Sequence, residues 1–156
     1  MEHAEIIELL TEDPVAQQLL RSPIPARLAY LATDGTPRAV PIIYHFDGQQ
    51  FVLATPDVAL KVKSLQANPN VALTIDTEGH PPVALLVRGT ASITFVDGVV
   101  PEFLEANRRR IPAESFDEFA AGVATVFPRM ARIAITPTWA KVLDDSRPPE
   151  SHRPRS

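Results

Sequence analysis

The sequence predicts a mostly β fold of the α+β class, with six or seven antiparallel strands closing into a small barrel and helices at its periphery. Three observations carry that prediction. Apolar residues recur with a period of two through most of the chain, Asp-Gly pairs punctuate the early runs, and no alternation of strand with crossover helix supports a parallel sheet. A strand series this long closes most economically on itself, because closure removes exposed edges.

The first segment reads as one interrupted helix or two short ones. Ile6, Leu9 and Leu10 share a face, and Asp13-Pro14 supplies an N-cap followed by proline at the first helical position. Ala16, Leu19 and Leu20 repeat the helical spacing until Ser22-Pro23-Ile24-Pro25 ends it. The period then switches to two. Leu28, Tyr30 and Ala32 alternate with Ala29, Leu31 and Thr33, and Asp34-Gly35 marks a hairpin turn. A second strand carries Val40, Ile42, Tyr44 and Phe46 on one side. Pro41 within it cannot donate to a ladder, so the strand must be an edge, a bulge or a barrel rim there. Asp47-Gly48 turns into a third strand, Phe51 to Thr55, completing a three-stranded meander.

Asp57 is expected to cap a helix running to about Ala67, with Val58, Val62 and Leu65 as its buried stripe. Val71, Leu73 and Ile75 open a fourth strand. The fifth runs from Val83 to Phe95, and Gly89 in its middle reads as a bend or bulge. Two helices follow: one places Val100, Phe103 and Leu104 inward, and the other opens on a capping box at Ser115 to Glu118. Ile133, Ile135 and Trp139 to Leu143 form a last strand, or two broken at Pro137.

At 156 residues the chain suits one domain, 1–145, with a proline- and charge-rich tail over 146–156 that is expected to be disordered. The chain contains no cysteine, which excludes disulfides, thiolate metal sites and cysteine nucleophiles. A net charge of −4 offers no global attraction to nucleic acid, so any anion site must be local. The opening MEHAEIIELL carries acids where a signal peptide needs positive charge, and no later apolar run is long enough to span a bilayer. The expectation is a cytoplasmic protein with neither nucleic acid nor membrane as a partner.

The stretch from Thr55 to Leu65 is the most informative for chemistry. It ends a buried strand and opens a helix, so free backbone N–H groups converge there with the Thr55 hydroxyl and the ammonium groups of Lys61 and Lys63. Those parts form a phosphate cradle. On composition alone, two lysines on a surface helix are better explained as solvated charge. His45, His80 and Asp144-Asp145 lack partners at metal-ligand spacing, and Ser64 and Ser92 lack a His/Asp constellation, so neither a metal site nor a hydrolase is expected. Tyr30 and Tyr44 occupy apolar-side positions and read as core, and Arg108 to Arg110 read as a solvated helix end. No catalytic side chain is assigned.

Taken in order, Ala29 to Arg38, Val40 to Gly48, Phe51 to Thr55, Lys61 to Leu65, Asn68 to Leu73, Val87 to Ala91 and Arg132 to Pro137 resemble the pyridoxamine 5′-phosphate oxidase-like superfamily of split β-barrels. The resemblance covers roughly residues 15–143 and implies a cofactor, FMN or a related deazaflavin. It implies that Val40, Pro41 and Ile42 lie along the flavin ring, that Thr55, Lys61 and Lys63 hold the phosphate, and that Arg38 assists near the ribityl chain. It further implies a homodimer with the sites at its interface, Arg88 and Trp139 being contributed by the second subunit, and an oxidoreductase acting on a small-molecule substrate. A deazaflavin-dependent reductase on the same fold, or a non-catalytic flavin- or haem-binding carrier or sensor, is the alternative. Two departures stand out: Val58-Ala59-Leu60 precedes Lys61 where an arginine is often found, and the carboxy-terminal substrate motif of the true oxidases has no clear match, which argues against vitamin B6 synthesis.

Overall fold

The computed structural model describes residues 1–146; the tail expected over 146–156 lies outside the described residues except for Ser146. Two helices lead, α1 (His3–Glu12) and α2 (Pro14–Arg21), followed by β1 (Ala26–Leu31), β2 (Pro37–Ile42), β3 (His45–Phe46) and β4 (Phe51–Pro56). Then come α3 (Leu60–Ala67), β5 (Asn70–Asp76), β6 (Val83–Asp97), α4 (Pro101–Asn107), α5 (Ala113–Val126) and β7 (Arg129–Asp144). The strands form one seven-stranded sheet in the order β2-β1-β5-β6-β7-β4-β3, antiparallel in every pairing.

The expected second strand is really two. Its first half, β2, pairs with β1 at one end of the sheet, and its second half, β3, pairs with β4 at the other. Only Ile43 and Tyr44 lie between them. Three residue steps from Ile42 to His45 span at most about 10 Å, so the sheet must curl until its two edges meet. No ladder joins those edges, and the barrel is split at this point. The expected meander is corrected accordingly, because β2 and β4 are not neighbours. Pro41 stands on the edge strand β2, where its missing N–H costs no ladder bond.

Inside the curl, Leu28, Leu53, Leu73, Ile75, Leu85, Ile133 and Ile135 form the core with Ile6, Leu10 and Leu19 from the leading helices. Asp13 caps α2, its carboxylate accepting from the Val15 and Ala16 N–H groups at 2.9 and 3.0 Å. β7 runs unbroken through Pro137, which lies opposite Gly89 where β6 shifts register. A bulge there removes the need for a proline N–H. A Cβ on Gly89 would stand 2.6 Å from the Thr136 carbonyl oxygen, so the strands approach closely only because that atom is missing.

Two helix starts differ from expectation. α3 begins at Leu60 with Ala59 as N-cap and no side-chain cap, so Asp57 does not cap it, and Val58 is 85% exposed rather than part of the buried stripe. α5 begins at Ala113 behind Pro112, two residues ahead of Ser115, and makes no side-chain cap. Proline supplies a fixed φ at the helix entrance, which replaces the capping box.

Candidate functional site

Strand β2 has a partner on one side only, so part of its backbone faces away from the sheet. Beside that free edge lies a groove of about 410 Å³, walled by Pro25, Pro41, Ile42, Ile43, Ala54 and Phe103, with Arg110 at its margin. Successive side chains on a strand point to opposite faces. Ala54 therefore faces the groove, while Thr55, 5% exposed, points the other way, the same way as Leu53. Helix α4 packs on β4 and β3 and contributes Phe103 to the groove's lining. It is tied down by Glu102, whose two carboxylate oxygens accept from Arg132 Nε at 3.0 and 3.2 Å, and Arg132 is the cross-strand partner of Ala54.

The structure brings some of the sequence-predicted residues to this place and leaves others apart. Pro41 and Ile42 line the groove, and Val40, on the same face of the strand as Ile42, is half-buried and packed on the core. Arg38 stands at the β1–β2 hairpin, ion-paired to Asp34 at 3.1 Å and hydrogen-bonded to the Thr36 hydroxyl. The Asp34 carboxyl accepts from the Thr36 hydroxyl and backbone N–H as well, and these bonds, with help from Arg38, hold its pKa at about 2. The chain leaves β4 past Thr55 into the uncapped start of α3, whose buried face is Val62, Ser64 and Leu65. Lys61 is half-buried and Lys63 exposed, and neither makes an ion pair among the described residues.

Arg88 and Trp139 are direct cross-strand partners on β6 and β7, and the guanidinium lies 4.2 Å from the indole ring centre. Ala39, Ala29, Ala72, Arg88 and Trp139 form one continuous row across five strands. Neither Arg88 nor Trp139 is among the residues that line the groove of its own chain.

Sequence reasoning missed Pro25, Ile43, Ala54, Phe103 and Arg110 as groove residues. It also took Arg109 for solvated charge. Arg109 instead donates to the carbonyls of Leu20 and Tyr44, at 3.2 and 2.6 Å, and covers the Tyr44 ring. Tyr44 is fully buried, as expected of a core residue, and burial pushes its hydroxyl up to a pKa of about 12.

Among solved structures, a protein named F420 reductase superposes with a TM-score of 0.60 at 25% identity, over 80% of this chain and 94% of that one. General stress protein 26 from Bacillus anthracis gives 0.60 at 16% identity over 83% and 92% of the two chains. HutZ, the haem storage protein from Vibrio cholerae, gives 0.61 at 14% identity over 84% and 92%. Comparison with curated proteins finds no match. The family model described as pyridoxamine 5′-phosphate oxidase matches residues 13–144, most of the chain, and the protein belongs to that family.

Proposed function

We propose that this protein is an FMN-binding oxidoreductase acting on a small-molecule substrate. The flavin ring lies against Pro41 and Ile42 at the free edge of β2, and the phosphate is held at the start of α3. The observation that carries this reading is the junction of two features in one short stretch of β4. Ala54 forms the floor of an apolar groove, and the next residues lead into a helix start with unsatisfied N–H groups and two uncommitted lysines. A flat heterocycle with an anionic tail matches an apolar wall joined to a cationic helix start. When bound, the flavin supplies the hydride chemistry, and the chain's part is to bind, orient and shield it.

The homodimer belongs to the same proposal. Val58 and Leu60 are 85% and 87% exposed at the uncapped helix start, and the Ala39-to-Trp139 row runs from small residues to a cationic aromatic pair. A second copy across that surface brings Arg88 and Trp139 to the neighbour's cofactor.

Titration with FMN, riboflavin and a deazaflavin coenzyme, followed by fluorescence, tests the reading. Binding of FMN with riboflavin much weaker supports it. Binding of the deazaflavin alone moves the cofactor to that class, a reading favoured by the similarity to the protein named F420 reductase. Binding of none overturns the proposal. Reduction by NAD(P)H with turnover of an acceptor separates an enzyme from a carrier.

A further inference from the structure

Three consecutive arginines follow α4, and the structure gives each a different task. Arg108 pairs with Glu105 at 3.1 Å and lies 4.0 Å over the Phe116 ring. Arg109 is spent on the Leu20 and Tyr44 carbonyls and on the Tyr44 ring. Arg110 has no ion pair or side-chain hydrogen bond among the described residues, and it borders the groove.

Its backbone is nevertheless fixed. The Arg110 N–H donates to the Asn107 carbonyl at 3.0 Å, and the Ile111 N–H donates to the same oxygen at 2.9 Å. Asn107 is 3% exposed and donates through its side chain to the Phe103 carbonyl at 2.8 Å. Phe103 is itself a wall of the groove. The guanidinium is thus carried on a rigid turn that is hydrogen-bonded to the groove's own lining.

The remaining described lining, Pro25, Pro41, Ile42, Ile43, Ala54 and Phe103, contains no charge. The nearest acid along the helix from Phe103, Glu102, is already committed to Arg132. Arg110 is exposed, so its guanidinium meets an anion from the solvent side, with no resident carboxylate to compete and a planar fork that matches a carboxylate or sulfonate.

We propose that Arg110 is a specificity-determining residue that selects planar apolar molecules carrying an anionic group, a carboxylate or sulfonate, with the apolar body against Ile43 and Phe103, beside the Pro41 and Ile42 wall given above to the flavin ring. The word substrate for that molecule rests on the flavin reading above; the anion selectivity does not.

The test uses two fluorescent probes of one shape, 8-anilinonaphthalene-1-sulfonate and the uncharged N-phenyl-1-naphthylamine, titrated into the full chain and into Arg110→Gln and Arg110→Lys. The expected result is about a tenfold loss of sulfonate affinity in Arg110→Gln, an intermediate loss in Arg110→Lys, and unchanged affinity for the neutral probe. Equal losses for both probes, or no loss for either, overturns the proposal. FMN and riboflavin titrations of Arg110→Gln form a further arm, with both affinities expected unchanged. Selective loss of FMN affinity would mean that Arg110 serves the cofactor phosphate, and the proposal falls. If wild-type protein binds no flavin, the flavin reading fails while the probe comparison still decides the role of Arg110.

Discussion

The guanidinium of Arg109 lies over the ring of Tyr44, 4.6 Å from its centre, and donates to the Tyr44 carbonyl at 2.6 Å. Tyr44 belongs to the two-residue link between the edge strands β2 and β3, and a further Arg109 bond reaches the Leu20 carbonyl at the end of α2. One side chain therefore ties the split in the barrel to the leading helices. The Tyr44 ring packs in turn on Phe51, 5.8 Å away, and Phe51 on Phe46 at 4.6 Å.

Arg109→Met should leave two carbonyls without their donor and cost about 2–3 kcal/mol, a fall in Tm of about 5–10 °C. Arg109→Lys keeps the charge but loses the planar fork that stacks and donates together, and should recover less than half of that. Thermal unfolding followed by circular dichroism measures both. A loss below about 0.5 kcal/mol in Arg109→Met would show that the link needs no such tie.

Tyr44 makes stability fall at high pH. Its hydroxyl titrates at about 12 in the folded chain against an ordinary value of 10.0, because burial disfavours the phenolate. Between those values the unfolded chain has lost a proton that the folded chain keeps. Stability is therefore fully present below pH 10 and declines as pH rises to about 12, by about 2–3 kcal/mol in all. Urea midpoints between pH 9 and 12 measure the decline, which should flatten in Tyr44→Phe. The Tyr44 hydroxyl is buried without a hydrogen-bond partner among the described residues, so Tyr44→Phe itself should cost under about 1 kcal/mol at pH 7.

The strands and turns were legible because side-chain period and turn chemistry act locally. Gly35 and Gly48 do adopt positive φ, 83° and 95°, in the turns that the Asp-Gly pairs announce. The break at Ile43 and Tyr44 was not legible, because Val40, Ile42, Tyr44 and Phe46 keep an apolar period of two straight through it. Strand order is equally hidden, since β1 meets β5 only after some forty intervening residues have been placed. The exposure of Val58 and Leu60 runs against their composition, and no local pattern marks it. Arg108, Arg109 and Arg110 look alike in sequence. Only the packing of α4 distinguishes the paired arginine, the half-buried clamp and the one that borders the groove.

Gly89→Ala should cost about 1–3 kcal/mol, because the new methyl group would meet the Thr136 carbonyl oxygen at 2.6 Å and the Ile135 Cγ2 at 2.7 Å. Both contacts lie on β7, so the strands must part where Arg88 stacks on Trp139. Trp139 is the chain's single tryptophan, and its emission reports on the pair directly. The variant should show a shifted emission maximum together with the lower Tm. An unchanged spectrum at wild-type stability would mean that the bulge accommodates a side chain.

Lys61→Ala with Lys63→Ala should weaken FMN binding by about tenfold while leaving riboflavin affinity within about twofold, since only FMN carries the phosphate. Neither lysine holds an ion pair among the described residues, and Lys63 is exposed, so the double variant should unfold within about 0.5 kcal/mol of wild type. That stability makes the affinity change interpretable as lost contact and not as lost fold. Fluorescence titration of both ligands at two salt concentrations separates the cases further. The wild-type preference for FMN over riboflavin should shrink as salt rises, and the variant's smaller preference should change little. Equal affinity of wild type and variant for FMN would return Lys61 and Lys63 to solvated surface charge, leaving the backbone N–H groups at Leu60 and Lys61 as the phosphate grip that remains.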